Sequence, residues 1–211
     1  MTLPARLPAV LACLGLLGLA ACSNPEKTAR YLIDPPAGPQ VENRLGSAEL
    51  KDVSLPEYAS SQEVAFQTED GAVRSNPKTL WADNPQRAFT LSLARAISDA
   101  SGATVIGEPW PLAEPPQRVL EVRVEKALAQ ANGVYRLSGR YFVSNDSSGG
   151  ANHTRSFDIG VPMASTGAGA SAAAASEAIA ILARQIATLS GPGRTIATTA
   201  PADPFALDPL F

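Results

Sequence analysis

The feature that most constrains this chain is its first 21 residues, which have the layout of a cleavable secretory signal. Arg6 supplies a positive start, an apolar run covers residues 7–21, and small residues precede Cys22. A membrane-spanning helix needs about 20 apolar residues, and this run is shorter. The pattern therefore predicts cleavage before Cys22, so that residues 1–21 take no part in the fold.

The cysteine after the small residues resembles the lipidation site of bacterial lipoproteins, whose signals end as Leu19-Ala20-Ala21-Cys22 does. The resemblance implies a diacylglycerol on the sulfur of Cys22 and an acyl group such as palmitate on the new amino terminus. Several acyl chains, each CH₂ contributing about 0.8 kcal/mol, anchor a protein more firmly than one chain. In such lipoproteins an Asp after the cysteine favours the inner membrane. Because Ser23 stands there, the resemblance implies the periplasmic face of the outer membrane.

Cysteine content and length limit the chemistry and the number of domains that are possible for residues 22–211. Cys13 leaves with the signal and Cys22 is the predicted lipid attachment site, so no free thiol remains. This excludes a disulfide, a thiolate metal site and a cysteine nucleophile. Residues 22–211 are enough for one domain with a core that needs no disulfide.

Charge argues against one class of partner. The chain has 17 Lys and Arg against 20 Asp and Glu, and Arg6 is the only charged residue of the signal. The charges are interspersed, without a basic run. This distribution disfavours nucleic acid as a partner and disfavours a polybasic membrane patch.

Proline and glycine divide the remaining chain into three parts. Residues 22–40 contain Pro35-Pro36-Ala37-Gly38-Pro39 and predict a lipidated tether, with Tyr31-Leu32-Ile33 as a short strand. Residues 41–191 hold the periodic segments and form the predicted domain. Residues 192–211 contain Pro, Ala and Thr without an apolar period, which predicts a disordered tail.

Two segments of the domain have the apolar spacing of helices. The first extends over about residues 85–101, begins at the capping pair Asn84-Pro85 and ends at Gly102. The second follows the low-complexity run Gly167–Ser171, a predicted flexible hinge, and is stopped by Gly191-Pro192. The apolar stripe of the second helix comprises Ala175, Ile179, Leu182, Ile186 and Leu189. Its predicted solvent face comprises Ser176, Glu177, Arg184, Gln185 and Thr188.

Alternation of apolar and polar residues predicts strands on both sides of the first helix. The last three form an antiparallel meander with turns at Asn132-Gly133 and at residues 145–152. This order predicts an α+β fold of two layers, a mostly antiparallel sheet covered by two helices. The predicted strands are residues 45–53, a hairpin between Val64 and Val73, residues 105–106, 120–125, 135–143 and 157–161.

Few residues are candidates for chemistry. His153 is the only histidine, and a hydrolase would need it as a base beside a serine and an aspartate. Its place after a predicted turn favours an exposed position at a strand edge. The charges of residues 120–125 are interpreted as the solvent face of a strand. No catalytic residue, metal site or cofactor is predicted.

Three aromatic residues near prolines are candidate partner contacts. Tyr58 ends the predicted loop Leu55-Pro56-Glu57-Tyr58, and Trp81 and Trp110 are predicted outside regular strands. Aromatic anchors are enriched at protein interfaces, but burial in the core would explain the same residues. The sequence leaves both interpretations open.

Four segments, taken in order, resemble one family. They are the cysteine-terminated signal with Tyr31-Leu32-Ile33-Asp34-Pro35, Leu55-Pro56-Glu57-Tyr58, Trp81-Ala82-Asp83, and Leu182-Ala183-Arg184-Gln185-Ile186-Ala187. Over residues 19–190 they resemble the auxiliary lipoproteins of ABC-type transporters, the PqiC-type family.

The resemblance implies a non-catalytic outer-membrane lipoprotein that works with a periplasmic MCE-domain protein, itself connected to an inner-membrane permease and ATPase. The implied cargo is phospholipid or another apolar molecule, and no cofactor is implied. Two alternatives stay open: a lipid-binding chaperone that holds an acyl chain between sheet and helices, and a hydrolase that uses His153. A homo-oligomer is also open.

Overall fold

A computed structural model describes residues 27–145 and 150–198. In these ranges the chain forms an α+β fold in which two long helices cover a mixed, mostly antiparallel sheet, so the predicted fold class is confirmed. The strands are β1 (Ala29–Tyr31), β2 (Ser47–Leu50), β3 (Phe66–Gln67), β4 (Val73–Arg74), β5 (Thr79–Trp81), β6 (Thr104–Gly107), β7 (Arg118–Ala129), β8 (Val134–Asn145), β9 (Gly150–Pro162) and β10 (Gly193–Thr198). The helices are α1 (Glu57–Ser60), α2 (Pro85–Ser101) and α3 (Ala168–Ala187).

The main sheet has the strand order β10-β9-β8-β7-β2-β6. The β7–β8–β9 meander is antiparallel as predicted, whereas β2 runs parallel to both β6 and β7. A register shift between Val124 and Lys126 exposes both Glu125 and Lys126. Gly139 faces this irregularity, where a Cβ atom would collide with the carbonyl oxygen of Arg123. The glycine therefore lets the two strands stay paired.

Helix α2 has the predicted bounds because its capping residues act as expected. The Asn84 side-chain oxygen accepts a hydrogen bond from the amide of Arg87 at 3.1 Å, and Pro85 is the first helical residue. At the other end, Gly102 adopts φ 71° and its amide donates to the carbonyl of Ser98.

Helix α3 begins earlier than the sequence predicted. Its first residue is Ala168, so the prediction of a flexible hinge over Gly167–Ser171 is wrong. The predicted core stripe is confirmed at Ile179, Leu182 and Ile186, which are almost completely buried. Ser176, predicted on the solvent face, is only 6 % exposed.

A segment of the predicted tether covers Ser176. Residues 29–41, here called the N-terminal strap, pack against both long helices. The tether predicted over residues 22–40, with one docking point at a short strand, is therefore held at several points from residue 29 onward. The amide of Asp34 donates to the Ser176 hydroxyl at 3.0 Å, and the Ser92 hydroxyl donates to the carbonyl of Ile33 at 3.1 Å. The amide of Val41 then donates to a carbonyl at the end of α2, that of Ala100, at 2.8 Å.

The predicted disordered tail is also partly ordered. Residues 193–198 form β10, which pairs antiparallel with β9 from Gly193 opposite Arg155 to Thr198 opposite Gly150. The prediction is wrong here because the edge of β9 offers unpaired backbone groups that an extended segment can satisfy. Residues 199–211, like the signal and Cys22, lie outside the described residues.

Candidate functional site

An apolar cleft of about 420 Å³ lies at the end of the sheet where β7 turns into β8. This volume falls within the range of about 300–1,000 Å³ that is usual for small-molecule sites. Four regions that are separate in sequence form it: residues 64–69 around β3, residues 76–79 at the start of β5, the end of β7 with the turn after it, and the chain from Met163 to the first turn of α3. Its apolar walls are formed by Val64, Phe66, Ala129, Met163 and Ala168.

Neutral polar groups predominate at the rim of the cleft. They belong to Gln67, Thr68, Asn76, Gln130 and Thr166, and Glu69 is the one acidic residue of the lining. Phe66 is 39 % exposed, which is high for a large apolar side chain beside a core. An apolar floor with a polar rim that has a single charged residue, Glu69, is typical of a site for an apolar ligand with a polar end.

The sequence alone does not locate this cleft. Alternation places Val64 and Phe66 on one face of a strand, but nothing in the pattern brings them beside Met163 and Ala168. The space between Ile97, Leu182 and the sheet, where a lipid-binding chaperone was expected to hold its ligand, is filled by the packed core, because both residues are completely buried.

The N-terminal strap begins beside the cleft. Ala29 is paired with Thr79, a cleft residue, in the parallel β1–β5 pair. Tyr31 lies against the start of α3, where a Cβ atom built on Gly169 would be 3.3 Å from the ring of Tyr31. The predicted strand at residues 31–33 is therefore present but displaced to Ala29–Tyr31.

The Tyr58 side chain provides a hydrogen-bond acceptor for a part of β7 that, within the described residues, has no strand partner on one side. Tyr58 lies on α1 rather than in the predicted loop, and its hydroxyl accepts a hydrogen bond from the amide of Ala127 at 3.3 Å. This part of β7 lies between the bridge of Arg123 to Ser54 and the pairing of Ala129 with Phe66. Because an unpaired buried amide is unfavourable, this contact gives Tyr58 a structural role.

The two tryptophans have different environments. Trp81 is the last residue of β5, so its predicted position outside a strand is wrong. Its side chain is 7 % exposed and belongs to the core, which was one of the two interpretations that the sequence left open. Trp110 is half-buried outside any strand, in the loop of residues 108–117. Its indole nitrogen donates to the carbonyl of Glu114 at 2.8 Å, and its amide donates to the Glu49 carboxylate at 2.9 Å. Neither tryptophan lines the cleft.

His153 lies in the interior of the sheet instead of at its edge, because β10 covers β9. Nδ1 of His153 is 3.1 Å from Oγ1 of Thr195, which accepts a hydrogen bond from Arg155 at 2.8 Å. Burial lowers the pKa of His153, and the positive charges of Arg155 and Arg118 lower this pKa further. A neutral imidazole next to two guanidinium groups is not the base–carboxylate pair of a hydrolase.

Other features of catalytic sites are likewise missing from the part of the chain that the structure describes. Within residues 27–145 and 150–198, no group of three or more His, Cys, Asp or Glu residues is arranged to hold a metal ion. The charges of β7 form surface pairs: Arg123 with Glu121 at 2.6 Å and Arg140 with Glu125 at 3.8 Å. Arg136 of β8 pairs with Asp158 on β9.

Solved structures share this fold. The chain is similar to the crystal structure of an uncharacterized protein, with a TM-score of 0.59 and 18 % identity over 73 % of this chain and 99 % of the other. It is also similar to protein XCC0632 from Xanthomonas campestris, of family DUF330, with a TM-score of 0.55 and 17 % identity over 75 % of this chain and 90 % of the other. No curated protein matches the chain.

A family model covers most of the chain. The family described as "ABC-type transport auxiliary lipoprotein component" matches residues 31–187, from the strap to the last residue of α3. This description corresponds to an accessory role in transport, with attachment to a membrane through lipid. In the described ranges, no helix is both long and apolar enough to cross a membrane. The chain belongs to the family of ABC-type transport auxiliary lipoprotein components.

Proposed function

We propose that this protein is a non-catalytic subunit of an ABC/MCE-type transport system for lipid or another apolar solute, anchored at the periplasmic face of the outer membrane. Its role is to dock the periplasmic MCE-domain protein of the transporter at that membrane. The observation that carries the proposal is the family match over residues 31–187. The signal that ends at Cys22 supplies the anchor.

The mechanism is positional. A free tether up to residue 41 would let the domain move far from the bilayer. Because the strap is fixed on α2 and α3, only residues 22–29 separate the predicted lipid attachment site from the first strand of the domain. At about 3.6 Å per residue, this link spans at most about 25 Å. The anchored domain therefore stays close to the membrane and limits where its partner can dock.

The experiment compares two cysteine substitutions. Cys22→Ala removes the predicted lipid attachment site, while Cys13→Ala is the matched control within the signal. We expect Cys22→Ala to leave the outer-membrane fraction and to lose co-purification with the MCE-domain protein. We expect Cys13→Ala to retain both. Outer-membrane attachment that persists in Cys22→Ala, or a wild-type protein found in the inner membrane, would contradict the proposal.

One observation favours a second candidate function, a lipid-binding chaperone. This observation is the apolar cleft, which is separate from the packed core and has the volume of a small-molecule site. The two functions are compatible, because a docking subunit at a membrane can also hold an apolar cargo.

A further inference from the structure

The cleft and the anchored end of the chain are on the same side of the molecule. Thr79 lines the cleft and is the register partner of Ala29, the first residue of β1. From Ala29 the chain leads back to Cys22, a link of at most about 25 Å. In an anchored protein, Ala29 therefore lies within that distance of Cys22, and the cleft lies next to Ala29 at Thr79.

Exposed apolar side chains are also present on this side. Leu32 is 70 % exposed directly after β1, and Phe66 is 39 % exposed at the mouth of the cleft. Isolated exposed apolar residues are common, but Phe66 lines the apolar cleft and Leu32 follows the strand that leads back to the lipid anchor. The cleft is thus placed to exchange an apolar group with a bilayer.

Three cations lie near β1, the strand from which the chain leads back to Cys22. Lys27, Arg30 and Lys78 are exposed around the β1–β5 pair. None of the three forms a salt bridge within the described residues. Exposed cations on this side of the molecule attract the anionic phosphates of a phospholipid surface. The protein's own anchor has acyl chains but no phosphate.

We propose that the cleft binds an acyl chain of a phospholipid from the membrane that holds Cys22. The acyl chain lies between Phe66 and Met163, and the polar rim of the cleft faces the lipid headgroup. This inference deepens the proposed function and rests on it only for the anchor. It assigns the lipid site to the membrane-side end of the sheet, not to the interface between sheet and helices.

The test is photolabelling of the full lipidated protein in vesicles of phosphatidylethanolamine and phosphatidylglycerol. A trace of the phosphatidylglycerol carries a diazirine in its acyl chain, and labelled peptides are mapped by mass spectrometry. We expect label on the peptides that contain Phe66 and Met163. Label confined to the peptide of Leu32 would show only contact with the bilayer and would overturn the proposal.

A pair of matched variants tests the cleft itself. Ala131→Trp places an indole at the exposed rim, whereas Ala113→Trp makes the same change in the loop of residues 108–117, which contributes nothing to the cleft. Because both alanines are exposed, both variants should fold, and melting temperatures check this. We expect Ala131→Trp to reduce labelling about tenfold, which corresponds to about 1.4 kcal/mol. Equal labelling of the two variants would overturn the proposal.

A further arm separates the sources of the acyl chain and the two proposals. The Cys22→Ala variant receives photoreactive lysophosphatidylglycerol in solution, and we expect its cleft to be labelled without an anchor. Labelling without transporter co-purification by the wild type would contradict the docking role alone. Co-purification without cleft labelling would contradict the lipid site alone.

Discussion

The strap and β10 flank the folded domain on either side in sequence, and both lack apolar periodicity, but they are held by different interactions. The strap packs side chains into the protein: Tyr31, Ile33 and Val41 contact the core from its outer side. In β10, by contrast, residues 193–197 are exposed, and pairing with β9 is its main attachment.

This difference has a physical consequence. A segment that buries apolar side chains gains free energy in proportion to the area removed from water. A strand that adds only backbone hydrogen bonds gains about 0.5–1.5 kcal/mol for each bond, while ordering each residue opposes this by about 1–2 kcal/mol. We therefore infer that the strap is part of the folding unit and that β10 is a cover for the sheet edge.

The first prediction concerns a core residue, whose substitution sets the scale for the effects expected in the strap and in β10. Leu182 on α3 is completely buried, and Leu182→Ala should lower the free energy of unfolding by about 2–5 kcal/mol. That is a large part of the 5–15 kcal/mol that is usual for a domain, so the variant should be scarce in cells. Urea unfolding measures the change. A variant with normal stability that fails to bind its partner would show that this stripe is an interface.

The second prediction tests whether the strap belongs to the core. Ile33 is half-buried against the core, while its neighbour Leu32 is 70 % exposed. We expect Ile33→Ala to cost about 1–2 kcal/mol, below the range for completely buried residues, because only part of the side chain is buried. Leu32→Ala is the matched control and should stay within about ±0.5 kcal/mol. Equal effects of the two substitutions would show that the strap does not pack as described.

The third prediction concerns removal of residues 193–211. The fold should remain intact, with a smaller loss of stability than Ile33→Ala causes, because the exposed side chains of β10 bury little apolar area. The freed edge of β9 should instead promote self-association, since its backbone groups lose their partners. Calorimetry and light scattering measure the two effects. A loss of stability as large as that of Leu182→Ala would show that β10 belongs to the core.

The same difference explains what the sequence could predict. Helix α2 depends on two local signals, the Asn84 cap and the Gly102 stop. The β7–β8–β9 meander depends on the alternation of apolar and polar residues. Such signals can be identified from the sequence of this chain alone. Strap and β10 depend on distant partners. The prolines of the strap indicate an irregular segment, so the sequence pattern gives no sign that Ile33 packs against the core. The position of β10 depends on the unpaired edge of β9.

At two positions, local sequence signals predict the wrong structure. Glycine, alanine and serine over Gly167–Ser171 indicate flexibility in isolation, yet small residues allow α3 to pack closely in the core, where Ser171 is almost completely buried. Tyr58 follows a proline and looked like part of a loop, but its position is set by the amide of Ala127 in β7. The cleft was missed for the same reason, because residues distant in sequence form its walls.

The smallest expected effect is a pH dependence confined to β10. His153 contacts Thr195 of this strand, and burial together with Arg155 and Arg118 lowers its pKa below the usual value of about 6.5. A histidine with a lowered pKa in the folded state binds fewer protons there than in the unfolded state, so its contribution to stability is present above pH 6.5 and is lost as the pH falls further. Amide exchange in β10 should therefore be faster at pH 5.5 than at pH 7.5 relative to the intrinsic rates, while exchange in β1 stays the same. In His153→Gln this difference should disappear, and if it persisted, another group would be responsible for the pH dependence.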